Sequence, residues 1–122
     1  MGVADRAQAS CEMCQYAWAA GLFDGEGSIS RQKAYRPGGL YKPVLNLSNN
    51  DLELVTRFQE IMGGDVYGPY GRGIGPDGFN RQPRYIWALL GFEAAWDALA
   101  LMAPWLSHRR LERARDLLLL PE

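Results

Sequence analysis

The stretch "AWAAGLFDGEGSIS", Ala17 to Ser30, starts as a helix and yet breaks two rules of helix chemistry. Ala17, Gly21 and Gly25 recur every fourth residue, so on a helix they form one stripe of almost bare backbone. Each glycine in a helix interior costs about 1 kcal/mol relative to alanine. Asp24 and Glu26 then fall at the C-terminal end, where the helix dipole is negative and a carboxylate is disfavoured by about 0.3–1 kcal/mol. Both costs require compensating interactions that a lone helix does not contain.

The neighbouring sequence supplies a fold for that helix. Cys14 to Gly25 is small or apolar almost throughout, which predicts a helix buried on more than one side and stopped by a left-handed Gly27. A hairpin follows: "SISRQKAY" and "YKPVLNLS" flank Pro37, Gly38 and Gly39. In its second run Tyr41, Pro43, Leu45 and Leu47 share one face, and Lys42, Val44, Asn46 and Ser48 the other. Asn50 is the predicted N-cap, with Glu53 at the third helical position, of an amphipathic helix marked by Leu52, Val55, Phe58, Ile61 and Met62 and ended by Gly63-Gly64. A second hairpin pairs "DVYGPYG" with "RYIWALL", where Tyr85, Trp87 and Leu89 point inward, around a mobile loop of Gly71 to Gln82. Phe92 to Met102 forms a helix with Trp96 and Leu99 on its apolar side, Pro104 interrupts it, and Ser107 caps a last helix through Leu120. This order predicts an α+β fold in which a four-stranded antiparallel sheet is backed by helices.

At 122 residues, with 48% apolar content and four tryptophans, the chain is expected to form one domain over 1–122, residues 1–12 being a loosely ordered lead-in. No secretory pattern or membrane-length apolar run is present, and "MGVADR" has Arg6 where a myristoylation signal needs Ser or Thr. The expectation is a soluble, intracellular protein of a prokaryotic cytoplasm or an organelle, without a membrane partner. The two cysteines, in "CEMC" at Cys11 and Cys14, are too few for structural zinc even with His108, and they read as incidental packing on a helix.

The net charge of −1 conceals an uneven distribution. From Ser28 to Asn50 the balance is +4, from Val66 to Phe92 it is +2, and the remainder holds six basic and 13 acidic residues, a balance of −7. Positive charge is therefore concentrated in the two hairpins, and a basic sheet face is a natural partner for nucleic acid.

"AAGLFDGEG", Ala19 to Gly27, resembles the signature of the LAGLIDADG homing endonucleases, with Ala19 for the leading Leu and Glu26 for the final Asp. The aromatic-rich lead-in, the following "SIS" and the late "PWLSHRR" extend the resemblance from about Tyr16 to Leu120, and the αββαββα order is also that family's. The resemblance implies that the motif helices of two subunits pack through Ala17, Gly21 and Gly25, so that a chain with a single motif acts as a homodimer on a near-palindromic double-stranded DNA site. It implies that Glu26 is the metal ligand and catalytic acid residue, holding Mg²⁺, with Mn²⁺ or Ca²⁺ able to substitute in binding. Asn49 falls where the family places a polar group that orients water, and it reads equally well as a residue capping the next helix.

On the strands, Ser28, Ser30, Gln32, Lys42, Asn46, Ser48 and Arg84 are expected to face the major groove, whereas Arg31 and Lys33 have the opposite parity and suit phosphate contacts or solvation. Arg36, Tyr70, Arg72 and Arg81 complete the expected DNA-binding set. Asp24 has a structural role at the helix end, and "SHRRLERAR" is a solvated helix face or, through Arg109 and Arg110, a phosphate contact.

Two positions depart from the family pattern. Glu53 and Glu93 fall where basic residues commonly lie, leaving Lys33, Lys42 and Arg84 as the cations that could replace them. The activity implied is a metal-dependent, site-specific double-strand cut by an enzyme of an intron, an intein or a free-standing gene. Two rivals stay open: a binding-only maturase or transcription regulator on the same fold, which Glu53 and Glu93 favour, and an interaction domain without nucleic acid, which the pI near 5.8 favours.

Overall fold

The computed structural model describes residues 11–32, 41–71 and 73–118. Through them run α1 (Glu12–Glu26), β1 (Gly27–Gln32), β2 (Lys42–Asn49), α2 (Leu52–Met62) and β3 (Asp65–Tyr70). A short ribbon of β4 (Gly73–Ile74) and β5 (Asn80–Arg81) leads to β6 (Arg84–Leu90), then α3 (Phe92–Met102), a 3-10 turn (Ala103–Trp105) and α4 (His108–Leu118). The four long strands form one antiparallel sheet in the order β1-β2-β6-β3. This is the predicted α+β architecture, with the ribbon added where a loop was expected. The predicted turn at Pro37 to Gly39 lies outside the described residues, as do residues 1–10 of the lead-in.

Strand register explains why all the helices collect on one side. Gly27 and Ile29 pair with Leu47 and Leu45, which pair in turn with Trp87 and Leu89, so the apolar residues of three strands share a face. Against that face pack Ala19, Ala20 and Phe23 of α1, Val55, Phe58 and Met62 of α2, and Ala95, Ala98, Leu99 and Met102 of α3. The centre is aromatic. Trp87 meets Phe58 edge to face at 4.6 Å and Phe23 at 6.4 Å, and its buried indole N–H donates to the Gly63 carbonyl at 2.6 Å. Gly63 and Gly64, both at positive φ, end α2 as predicted.

Several local expectations change for tertiary reasons. The cap of α2 is Asp51, whose carboxylate accepts from the Glu53 and Leu54 N–H groups, and not Asn50. Gly27 has extended backbone, and it is glycine because a Cβ there would overlap the ring of buried Phe23. Trp96 is 48% exposed, since the buried side of α3 is its row of alanines with Leu99 and Met102. Cys11 and Cys14 are joined in a disulfide across the first turn of α1.

The C-terminal end of α1 is closed by the start of α4. Asp24 Oδ1 accepts from Ser107 N–H at 2.9 Å, Arg110 Nη2 donates to the Asp24 carbonyl at 3.2 Å, and the Arg110 guanidinium lies 5.7 Å from the centre of the Phe23 ring. Ser107 Oγ also receives Arg110 N–H, as its predicted capping role requires. One turn on, Arg113 Nε donates to the Ile29 carbonyl at 3.2 Å, so α4 also binds edge strand β1. The expectation of a purely solvated face therefore fails for Arg110 and Arg113. Each arginine satisfies a carbonyl of the fold.

The backbone N–H of Ser107, its hydroxyl, and the charges of Arg110 and Arg109 hold the Asp24 carboxyl below its ordinary pKa. Its contribution to stability is complete above the usual carboxylate range and is lost as pH falls through the lowered value. Asp24→Asn should therefore be less stable than the parent at neutral pH by about 1 kcal/mol, the difference between a charged and a neutral acceptor. The two melting curves, followed by circular dichroism, should converge as the pH falls through the lowered value.

Candidate nucleic-acid interface

The face of the sheet turned away from the helices is open. Register places Ser28 opposite Asn46, Ser30 opposite Val44 and Gln32 opposite Lys42, while Ser48 pairs with Ile86 and so shares its face with Arg84. All seven predicted groove-facing residues therefore lie on one surface. Arg31 pairs with Pro43 and belongs to the other face, as its parity predicted. Lys33, Arg36 and Arg72 lie outside the described residues.

The open face also holds residues outside the predicted set. Ile86, Ala88 and Leu90 of β6 give it an apolar strip, of the kind that can meet thymine methyl groups, and Tyr67 pairs with Ile86 at 50% exposure. The alternation of β6 carries this signal, since Ile86, Ala88 and Leu90 have the parity opposite to that of Tyr85, Trp87 and Leu89. Tyr70 pairs with Arg84, and there the sheet runs into a cleft of about 490 Å³ lined also by Phe79, Asn80, Arg81 and Gln82 of the ribbon. Within the ribbon Asp77 accepts from Phe79 N–H and forms an ion pair with Arg81. That pairing partly neutralises a cation expected to serve DNA.

At the border of this face, where α1 passes directly into β1, Glu26 is exposed. Asn49, at the end of β2, donates from Nδ2 to Glu26 Oε2 at 2.6 Å while its Oδ1 accepts Asp51 N–H at 2.9 Å. Asn49 thus braces the approach to α2, whose cap is Asp51, and is tied to Glu26. Asp24 turns the other way, toward α4, so the two acids of the motif do not form a pair.

The donor chemistry at Glu26 suits a hard divalent cation, which is commonly held by one or two carboxylates together with waters and phosphate oxygens. Among the described residues no group of three or more His, Cys, Asp or Glu side chains converges on a metal position.

The glycine stripe faces outward. Gly21 and Gly25 are exposed, and a Cβ built on either meets no heavy atom within 4 Å beyond its own helix and chain neighbours. Neither glycine is needed for packing among the described residues. The other side of α1 is occupied by the core and by Arg57 of α2, whose guanidinium sits 4.0 Å from the centre of the Trp18 ring.

No protein-family model and no curated protein matches the sequence. Solved structures match the fold. The homing endonuclease I-CvuI in complex with its target aligns over 87% of this chain and 65% of its own, with 20% identity and a TM-score of 0.64. The archaeal intron-encoded homing endonuclease I-Vdi141I complexed with DNA aligns over 87% and 67%, with 17% identity and a TM-score of 0.63. The LAGLIDADG homing endonuclease I-GzeII in complex with its DNA target aligns over 74% and 28%, with 11% identity and a TM-score of 0.52. This chain has the fold of the LAGLIDADG homing endonucleases. It spans just under two thirds of the length of I-CvuI.

On the LAGLIDADG fold, Glu53 and Glu93 occupy the first turns of α2 and α3, both exposed. A first-turn acid is favoured by the helix dipole, which accounts for their local structure whatever else that position serves. No helix among the described residues is long and apolar enough to cross a membrane.

The parity of the LAGLIDADG sheet can be tested on duplex DNA. Gln32→Ala or Asn46→Ala should change which base pairs are tolerated, by about 1–3 kcal/mol at the positions read, whereas Arg31→Ala should weaken all sequences alike and lower the salt slope by about one. Binding selections on randomised duplexes and a salt titration separate the two effects.

Proposed function

We propose that this chain is a LAGLIDADG homing endonuclease that acts as a homodimer and cuts both strands of a long, near-palindromic DNA site. The observation that carries this reading is the exposed Glu26, braced by Asn49, between an outward glycine stripe and the polar sheet face. The stripe through Ala17, Gly21 and Gly25 would let two α1 helices approach closely, bringing one Glu26 from each subunit to the centre of the saddle. The residues of β1, β2 and β6 would lie along the major groove on either side. Double-stranded DNA and a second copy of the chain are its partners in this reading.

Glu26 would hold the cation, Mg²⁺ in the working enzyme, and Asn49 would fix the direction of the carboxylate. When bound there, the ion supplies the chemistry of metal-assisted phosphodiester hydrolysis, namely activation of water and stabilisation of the leaving oxygen. The serines and amides of the sheet would position the duplex, and Lys42 or Arg84 would supply the cation that Glu53 and Glu93 do not.

Glu53 and Glu93 support a second reading, a binding-only protein on the same fold, because acids replace the cations the family commonly places there. Incubation of a selected duplex with protein and Mg²⁺ or Mn²⁺ decides between them: cleavage supports the endonuclease, and tight specific binding without cleavage supports the rival. Absence of any salt-dependent duplex binding would refute both and leave an interaction domain.

For the endonuclease, Glu26→Gln should abolish cleavage and retain specific binding, since shape is kept and the charge that holds the cation is lost. Asn49→Ala should lower cleavage by about 10–100-fold, as loss of a group orienting a ligand typically does. Gel shift and cleavage assays on the same preparations separate these effects from loss of folding.

Gly21→Leu should leave the subunit folded, because its Cβ meets open space, and yet separate the two helices. Overpacking a tight contact costs about 1–3 kcal/mol or more. Sedimentation should then show monomers, and cleavage should fall with the dimer. A variant that remained dimeric and fully active would remove the stripe from the interface.

A further inference from the structure

The cysteine pair at the head of α1 takes no part in the site described above. Cys11 is the N-cap of the helix, Cys14 follows one turn later, and the two are bonded to each other. Cys14 is exposed and Cys11 half-buried, and the Cys14 backbone N–H donates to Cys11 Sγ at 3.0 Å. The disulfide closes only the turn that Gln15 N–H already closes by donating to the Cys11 carbonyl. A link over so short a loop removes little chain entropy, so it is not a staple on which the fold depends.

We propose that Cys11–Cys14 is a redox-active cystine that exchanges with small thiols of the glutathione class, with Cys11 as the leaving group and Cys14 as the sulfur attacked. The two sulfurs are unequal in the two properties that govern exchange. Cys14 is the one that solvent reaches. Cys11 sits at the positive end of the α1 dipole with an N–H directed at its sulfur, an environment that stabilises a thiolate and makes it a better leaving group. Glu12, in the same first turn, opposes this stabilisation without occupying the N–H.

The exchange balances without any other reagent. A small thiolate attacks Cys14 Sγ, a new sulfur–sulfur bond forms there, the Cys11–Cys14 bond breaks, and its electron pair leaves on Cys11. A second small thiolate attacks the small-thiol sulfur of that mixed disulfide and releases Cys14 as a thiolate. Two small thiols are thereby oxidised to one disulfide, and the cystine is reduced to two cysteine thiolates, which take up from solvent the two protons that the small thiols released on forming their thiolates. The same steps in reverse reoxidise the pair with the small disulfide.

The full chain can be equilibrated in mixtures of reduced and oxidised glutathione, quenched with acid, alkylated and weighed by intact-mass spectrometry. Oxidised and reduced forms should both be populated across millimolar mixtures, with unchanged far-ultraviolet circular dichroism. In single variants, Cys11 of Cys14→Ser should react with iodoacetamide about tenfold faster at neutral pH than Cys14 of Cys11→Ser. Exposure alone gives the opposite order, so the ratio reports the helix terminus. A pair that stayed fully oxidised in every glutathione mixture, or reduction that unfolded the chain, would overturn the proposal. Faster alkylation of Cys14 than of Cys11 would overturn the assigned leaving group. None of these measurements depends on DNA.

Discussion

The end of α1 has to satisfy two demands that oppose each other. It presents the negative end of a helix dipole, and it carries two carboxylates within three residues. The structure resolves this by giving the two acids different surroundings. Asp24 turns toward the N-terminus of α4, whose Ser107 N–H and nearby Arg110 supply the positive charge that α1 lacks at its end. Glu26 remains outside that arrangement and is held by Asn49 at the border of the open sheet face. Much of the architecture follows from this division. Arg110 brings α4 onto α1, Arg113 on the same helix satisfies edge strand β1, and Gly27 lets β1 leave α1 directly over the ring of Phe23. One acid is bound into the structure, and the other is left exposed beside Asn49 at the border of the open face.

The sheet then separates the chain into two environments. Its helix side is closed around Trp87, Phe58 and Phe23, and its other side carries serines, amides, Lys42 and Arg84 with an apolar strip from β6. A slightly acidic chain can in this way own a surface suited to nucleic acid, because its acids lie mainly on the helices. The structure also lowers the charge that the surface can offer. Arg81 is paired with Asp77, while Arg110 and Arg113 bind carbonyls of the fold. Cations counted from sequence therefore exceed those free to meet a phosphate.

The features read correctly from sequence are those with a short physical period. Alternation along β1 and β2 assigned Ser28, Ser30, Gln32, Lys42, Asn46 and Ser48 to one face because a strand allows only two directions. The apolar spacing of α2 and its glycine stop were equally local, as was the stripe of Ala17, Gly21 and Gly25, although its outward direction is seen only in the tertiary structure. Features that depend on distant residues were not readable in this way. Asn50, Asp51 and Asn49 are chemically similar capping residues, and only the approach of Glu26 across the chain decides that Asn49 reaches Glu26 while Asp51 caps the helix. Trp96 has the composition of a core residue but falls on the exposed side of α3, where small alanines let the helix lie close to its neighbours.

The sequence by itself determined the order of elements, the two faces of the sheet and the identity of the acids at the end of α1, since each follows from local periodicity and residue type. Tertiary structure alone decided what each acid does. Asp24 and Glu26 are two residues apart and carry the same charge, so local chemistry cannot tell a carboxylate bound to another helix from one left exposed at the sheet border. That distinction comes from Ser107 and Arg110, more than 80 residues along the chain, and from Asn49, 23 residues along. Their positions are fixed only when the sheet and all four helices have closed around one aromatic core.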